Sequence, residues 1–334
     1  MRKIAINGFG RIGRCAFKIA LAKKNAQIVA INDLTDTRTL AYMLRYDSAY
    51  GRYSHKVSYD AKSIIVDGKK YPVFAEKDPA RLPWKKLGVD VVLECTGVFE
   101  KKADLQLHLK AGAKKVVLSA PAKDEVQTLV FGTELTKKTL GKNDKIISNA
   151  SCTTNCISPI MQILNSTFGV DKAIMTTVHA YTASQRLVDG PDSKDLRRGR
   201  AGAANMAPST TGAAKATTLV IPELKDRFDG IAIRVPVICG SLSDITAVLK
   251  KSTTVEEINK VFKKFADHPM YKNILGVTGP DDELASTDII GTTKSAIIDL
   301  KFTRVVGGNL VKILAWYDNE WGYSNRLVEM ALTI

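Results

Sequence analysis

The segment Ser151-Cys152-Thr153-Thr154-Asn155-Cys156 stands where a strand-like apolar run ends and a run with helical apolar spacing begins. A thiol at a helix start faces the positive end of the helix dipole, which predicts a lowered pKa and a nucleophilic thiolate. Single cysteines are more often small buried hydrophobes. The polar neighbours Ser151, Thr153 and Asn155 favour the nucleophile. Cys156 follows one helical turn later, but no further Cys/His pair stands at metal-ligand spacing and C-x-x-x-C is not a redox-couple pattern, so no metal is expected. Cys15, Cys95 and Cys239 lie in apolar contexts and read as core. Of the four histidines, His179 ends an apolar run beside an irregular segment and is the candidate base for Cys152. It reads equally well as a hydrogen-bonded structural histidine. His55, His108 and His268 sit in charged or polar stretches and read as surface.

A second chemistry lies at the start of the chain. Gly8-Phe-Gly10-Arg-Ile-Gly13 follows one apolar strand and opens a helix, the context a dinucleotide-binding turn requires. Gly8 permits the turn, Gly10 admits a pyrophosphate to the backbone, and Gly13 allows close packing of helix on strand, while the helix start offers N–H donors. Asp33 ends the next strand, where a carboxylate accepts from the adenosine ribose hydroxyls and repels a 2′-phosphate. NAD is therefore expected over NADP.

The elements that position these groups follow from apolar periodicity. Runs at 3–7, 27–32, 89–94, 115–119, 129–131 and 145–148 are nearly continuous and apolar, as in strands buried on both faces of a parallel sheet, and 11–25 has helical spacing. That alternation predicts a doubly wound α/β domain. After residue 150 a helix over 152–168 precedes longer runs at 173–179, 231–237, 243–249, 295–299 and 310–317. Several of these alternate apolar with polar residues, which suits an antiparallel sheet covered by helices such as 255–266. A boundary near residue 150 is expected, and the chain length, 334 residues, suits two domains.

The chain has 45% hydrophobic and 25% charged residues, an ordinary globular composition. No window suggests a membrane span or a signal segment, and five cysteines is a poor count for a disulfide framework, so a reducing cytoplasm is expected. The net charge of +15 would attract polyanions at long range. No basic block with interleaved aromatics supports a nucleic-acid partner, and a solvated basic surface is the simpler reading.

Ile6-Asn-Gly-Phe-Gly-Arg-Ile-Gly-Arg14, Ser148-Asn-Ala-Ser-Cys-Thr-Thr-Asn-Cys156, His179-Ala-Tyr-Thr182, Ser209-Thr-Thr-Gly-Ala-Ala214 and Trp316-Tyr-Asp-Asn-Glu-Trp-Gly-Tyr-Ser324 together resemble the phosphorylating glyceraldehyde-3-phosphate dehydrogenases, in order from first strand to last helix. The resemblance implies a Rossmann doubly wound parallel sheet over 1–150, completed by a helix over 318–334, and an α+β catalytic domain with a mostly antiparallel sheet over 151–317. It implies that Cys152 forms a thiohemiacetal and then a thioester, with His179 as general base. It assigns Thr182 and Arg234 to the substrate phosphate, and Ser151, Thr153, Arg198, Thr211 and Gly212 to the attacking inorganic phosphate. For NAD it assigns Gly8, Gly10, Arg11, Ile12, Gly13, Asp33, Lys77 and Ser119, with Asn319 at the nicotinamide amide.

A homotetramer is also implied. Related readings are an erythrose-4-phosphate dehydrogenase, or a non-catalytic basic binding protein on the same scaffold; intact Cys152 and His179 argue against the binder. Two stretches depart from the common pattern, Val235-Pro-Val-Ile-Cys-Gly240 and Gly190-Pro191.

Overall fold

The computed structural model describes residues 1–140, 144–193 and 195–334. It divides into two compact units. The first comprises Met1–Leu129, Thr139–Ala150 and Ser324–Ile334, and the second Val130–Lys138 and Ser151–Tyr323.

The first unit is built on a nine-stranded sheet in the order Gln127–Thr128, Ile146–Ser148, Lys115–Leu118, Val91–Glu94, Arg2–Asn7, Ala26–Asn32, Lys69–Phe74, Ser63–Val66, Val57–Asp60. The strands run parallel as far as Lys69–Phe74, and the last two pairings are antiparallel. The parallel centre matches the doubly wound expectation, and its apolar runs, Ile4–Ile6 and Val91–Leu93 among them, are wholly buried. The antiparallel extension was not foreseen. The expected strand over 129–131 is displaced to Gln127–Thr128, because the Val130 N–H turns away to the Thr136 hydroxyl and ends the ladder. The first helix stops at Leu21, earlier than its spacing suggested, and a turn from Lys23 to Ala26 leads into the second strand.

His108 corrects a reading made from local polarity. It is completely buried, with Trp84 Nε1 donating to its Nδ1 at 3.1 Å and Glu94 Oε2 lying 3.1 Å from its Nε2. His55 is exposed and pairs with Asp67.

The second unit carries an eight-stranded mixed sheet. Its main path runs Ala207–Thr210, Phe228–Val235, Val170–Ala180, Ser241–Leu249, Leu310–Tyr317, Ala296–Ile298, Leu275–Val277, with Arg304–Val306 also paired to Leu310–Tyr317. Most pairings are antiparallel, as expected, but Val170–Ala180 lies parallel to Phe228–Val235, and Leu275–Val277 parallel to Ala296–Ile298. The helix Cys152–Phe168 buries Ile157, Ile160, Met161, Ile163 and Leu164 completely, and this burial anchors its amino end. Among the described residues no helix is long and apolar enough to cross a membrane.

Candidate active site

In the first unit a cavity of about 430 Å³ opens at the carboxyl ends of the parallel strands, lined by Gly8, Gly10, Asp33, Lys77 and Thr96 among others. Carboxyl ends of such strands border ligand crevices in open α/β sheets. Gly8 adopts φ +91°, and a Cβ there would meet the Thr96 backbone nitrogen at 2.7 Å; at Gly13 it would meet the Gly8 carbonyl oxygen at 2.0 Å. Turn and helix therefore touch backbone to backbone. No side chain caps the helix Arg11–Leu21, and no acid stands in its first turn, so its N–H donors suit an anion.

Asp33 is fixed by two backbone donors, Phe9 N at 2.7 Å and Thr35 N at 2.9 Å, and each oxygen keeps accepting capacity for a ribose hydroxyl. Arg11 pairs through its guanidinium with Asp47 at 2.8 Å, while Ile12 is half-buried in the first turn. Ser119 follows the strand Lys115–Leu118, where its N–H donates to the Glu94 carbonyl at 2.9 Å. Cys95, expected in the core, lines the cavity instead; burial, with the nearby Glu94 charge, pushes its thiol up to about 12. These residues fit a bound dinucleotide, with Asp33 at a ribose and the uncapped helix start at the phosphates.

In the second unit the chemistry gathers around Cys152. The turn ahead of it holds Ala150 at φ +53°, a left-handed conformation costing roughly 1–2 kcal/mol for an L-residue. Ser151 then caps the helix, its hydroxyl accepting from Thr154 N at 3.1 Å. Cys152 Sγ stands 3.5 Å from His179 Nε2. The parallel register places His179 directly beside Arg234, and Arg234 Nη1 lies 2.7 Å from His179 Nδ1 and 3.2 Å from the Ala180 carbonyl oxygen. His179 Nδ1 is itself 2.7 Å from that oxygen. Arginine only donates, so a proton on Nδ1 and the Arg234 contact exclude one another.

Electrostatics corrects one expectation. Burial pushes the Cys152 thiol above its ordinary range, against an opposing pull from Arg234, so the helix start does not by itself generate a thiolate. Burial first, and the Arg234 charge second, hold His179 down to about 3. Thiol and imidazole are thus both neutral near pH 7. An imidazole in that state can accept a proton.

The remaining predicted anion ligands are distributed as follows. Arg198 donates to Ser209 Oγ at 3.2 Å, on the strand whose Ala207 pairs with Arg234. Gly212 begins the helix Ala213–Val220 without a side-chain cap, and Thr211 Oγ1 accepts from Ala213 N at 3.2 Å. Thr182 is engaged in its own turn, its hydroxyl 2.9 Å from Ser184 Oγ. Arg200, in the same cluster as Arg198, pairs with Asp189 at 2.9 Å. Asn319 is locked by Gly240 N at 3.1 Å and Ser241 Oγ at 3.0 Å, both donating to its Oδ1.

Residues 2–102 match the model of the glyceraldehyde 3-phosphate dehydrogenase NAD binding domain, and residues 151–319 match that of the C-terminal domain. The chain belongs to the glyceraldehyde-3-phosphate dehydrogenase family. Its cofactor is NAD. The chain is similar to glyceraldehyde-3-phosphate dehydrogenases of Thermotoga maritima (54% identity, covering 98% of each chain) and Streptomyces coelicolor (51%, covering 99% of this chain and 98% of the other). It is also similar to glyceraldehyde-3-phosphate dehydrogenase 1 of Bacillus cereus (51%, 99% and 98%).

Within this family framework, one residue beside the thiol escaped sequence reasoning. Tyr317 is buried, its hydroxyl 2.9 Å from Thr153 Oγ1 and 2.7 Å from Thr177 Oγ1, and its ring meets His179 edge-on at 5.9 Å. It lies inside the quoted Trp316–Ser324 motif, which was the available signal. The departure at 235–240 is absorbed locally, with the Cys239 thiol donating to Asp318 Oδ1 at 3.3 Å.

Proposed function

We propose that the chain oxidises and phosphorylates D-glyceraldehyde 3-phosphate to 1,3-bisphosphoglycerate, an inference carried by the Cys152–His179 contact with Arg234 beside it. Arg234 and Thr182 hold the substrate phosphate. An anion that draws the guanidinium aside releases His179 Nδ1 to donate to the Ala180 carbonyl, which leaves the Nε2 lone pair facing Cys152. His179 then takes the thiol proton while Sγ bonds to the aldehyde carbon, and the Cys152 N–H at the helix start stabilises the developing oxyanion. Protonation of that oxygen returns His179 to its neutral form, giving a thiohemiacetal.

NAD, when bound, supplies the hydride acceptor. As hydride leaves the carbon, Nε2 accepts the hydroxyl proton and a thioester remains. Inorganic phosphate, held by Arg198 with Ser151, Thr153, Thr211 and Gly212, attacks the thioester carbonyl; the C–S bond breaks, His179 returns its proton to the leaving Cys152 sulfur, and the acyl phosphate departs.

A homotetramer is part of the same reading. Ile174, Ile231 and Leu310 share one face of the second sheet and are exposed, which supports assembly over that face. The five free cysteines support action in a reducing cytoplasm. The decisive assay follows NADH absorbance with glyceraldehyde 3-phosphate and with erythrose 4-phosphate, each with and without inorganic phosphate. Phosphate-dependent NADH formation with the triose is expected. A rate indifferent to phosphate, or a preference for the tetrose, overturns the proposal.

A further inference from the structure

Three adjacent parallel strands of the first unit end in polar residues at one level. Asn32 pairs with Asn7 and Asn7 with Glu94 in the sheet register. Their side chains continue the pairing, Asn32 Nδ2 donating to Asn7 Oδ1 at 2.7 Å and Asn7 Nδ2 donating to Glu94 Oε2 at 2.5 Å. Asn7 and Glu94 are completely buried and Asn32 nearly so.

The row has an anchor at each end. At the Asn32 end, Oδ1 accepts from Glu76 N at 3.0 Å and Nδ2 donates to the Glu76 carbonyl at 2.9 Å. At the other, Glu94 Oε1 accepts from the backbone N–H of Thr96 at 2.8 Å and from its hydroxyl. Asn7, Asn32, Glu76 and Thr96 all line the dinucleotide cavity; Glu94 and His108 do not. Behind Glu94 the Trp84 indole, which can only donate, occupies His108 Nδ1, so the proton of the imidazole sits on Nε2 and points at Glu94.

We propose that Glu94, oriented from behind by His108, is the positioning residue that holds the walls of the NAD cavity in register. A buried carboxylate is expensive unless its oxygens are fully satisfied, and here four donors from three elements converge on it. An apolar residue at 94 would leave those donors unpaired. Because the donors belong to the loop after Val91–Glu94, the first strand and the helix Lys102–Lys110, the carboxylate fixes their spacing to within hydrogen-bond tolerance. That spacing sets the approach of Thr96 to Gly8, whose absent side chain is what admits the loop. The inference rests on this cavity being the NAD site, which titration of the unaltered protein tests separately.

The test is calorimetric titration with NAD of the unaltered protein, Glu94→Gln and His108→Gln, beside the melting temperature of each without NAD. The Gln amide at 94 presents a donor where only acceptors fit. His108 lines no part of the cavity, and it reaches a lining residue at Asn7, whose Nδ2 lies 3.5 Å from its Nε2. Glu94→Gln is expected to raise the NAD dissociation constant about tenfold or more, and His108→Gln several-fold, with the Michaelis constant for NAD rising in parallel while turnover at saturating NAD holds. Native NAD affinity in either folded variant, even with a lowered melting temperature, reduces the network to a structural role and overturns the proposal. Should Glu94→Gln fail to fold, His108→Gln decides. Failure of the unaltered protein to bind NAD would refute the site itself.

Discussion

Asn7, Asn32, Glu94 and His108 in the first unit, and Cys152, His179 and Arg234 in the second, are both polar sets at or near the carboxyl ends of parallel strands, but their hydrogen bonds are matched differently. In the first set each donor meets an acceptor, and one protonation pattern satisfies the row from Trp84 to Glu76. In the second, Arg234 Nη1 and His179 Nδ1 converge on one another and on the single Ala180 carbonyl, so one arrangement of protons excludes the next. The difference follows from what each must do. A cofactor cavity that recurs unchanged through every turnover gains from being preformed, whereas a base that must accept and release a proton needs two states close in energy.

That contrast breaks most severely at the thiol. Cys152→Ser is expected to lower turnover by about 10⁴-fold or more while leaving the NAD dissociation constant unchanged, read by NADH absorbance and by calorimetry. Substantial activity in the serine variant would remove Cys152 as the nucleophile; a lost NAD affinity would show that the two sets are not independent.

A smaller effect sharpens the first set. Asp33→Gly removes the carboxylate fixed by Phe9 N and Thr35 N, and should move the NADP-to-NAD preference by about tenfold, or 1.4 kcal/mol. Unchanged preference in steady-state kinetics with both cofactors would free Asp33 of its proposed ribose role.

The smallest effect is on stability in acid. His179 in the folded protein titrates near 3, below the ordinary value of 6.5, so its contribution is intact above pH 6.5 and is lost as pH falls through the window toward 3. One proton taken up on unfolding gives a slope of about 1.4 kcal/mol per pH unit there. Urea titrations across that range should show a shallower slope for His179→Gln than for the unaltered protein. Equal slopes would mean that other groups dominate.

Features written in contiguous residues were legible. The G-x-G-x-x-G turn reads directly because the tight backbone contacts at Gly8 and Gly13 admit no side chain. The Cys152–Phe168 helix reads directly because its apolar spacing and its Ser151 cap are local. The strand at 129–131 was misplaced because a hydroxyl six residues away took its N–H. His108 looked exposed because its polar neighbours in sequence are not its neighbours in space. The motif around Tyr317 does not reveal its role, since its partner Thr153 lies 164 residues away in sequence.

The sequence by itself determined the chemistry on offer: a dinucleotide turn with a ribose acid, a thiol opening a helix, and one histidine at a strand end. These depend on backbone conformations that nearby residues dictate. Only the tertiary structure decided the state of that chemistry. Sheet register set His179 beside Arg234, burial raised the thiol that the helix start alone was expected to lower, and three strand ends at one level built the row around Glu94. Desolvation and register are sums over residues far apart in the chain, so no local pattern encodes them.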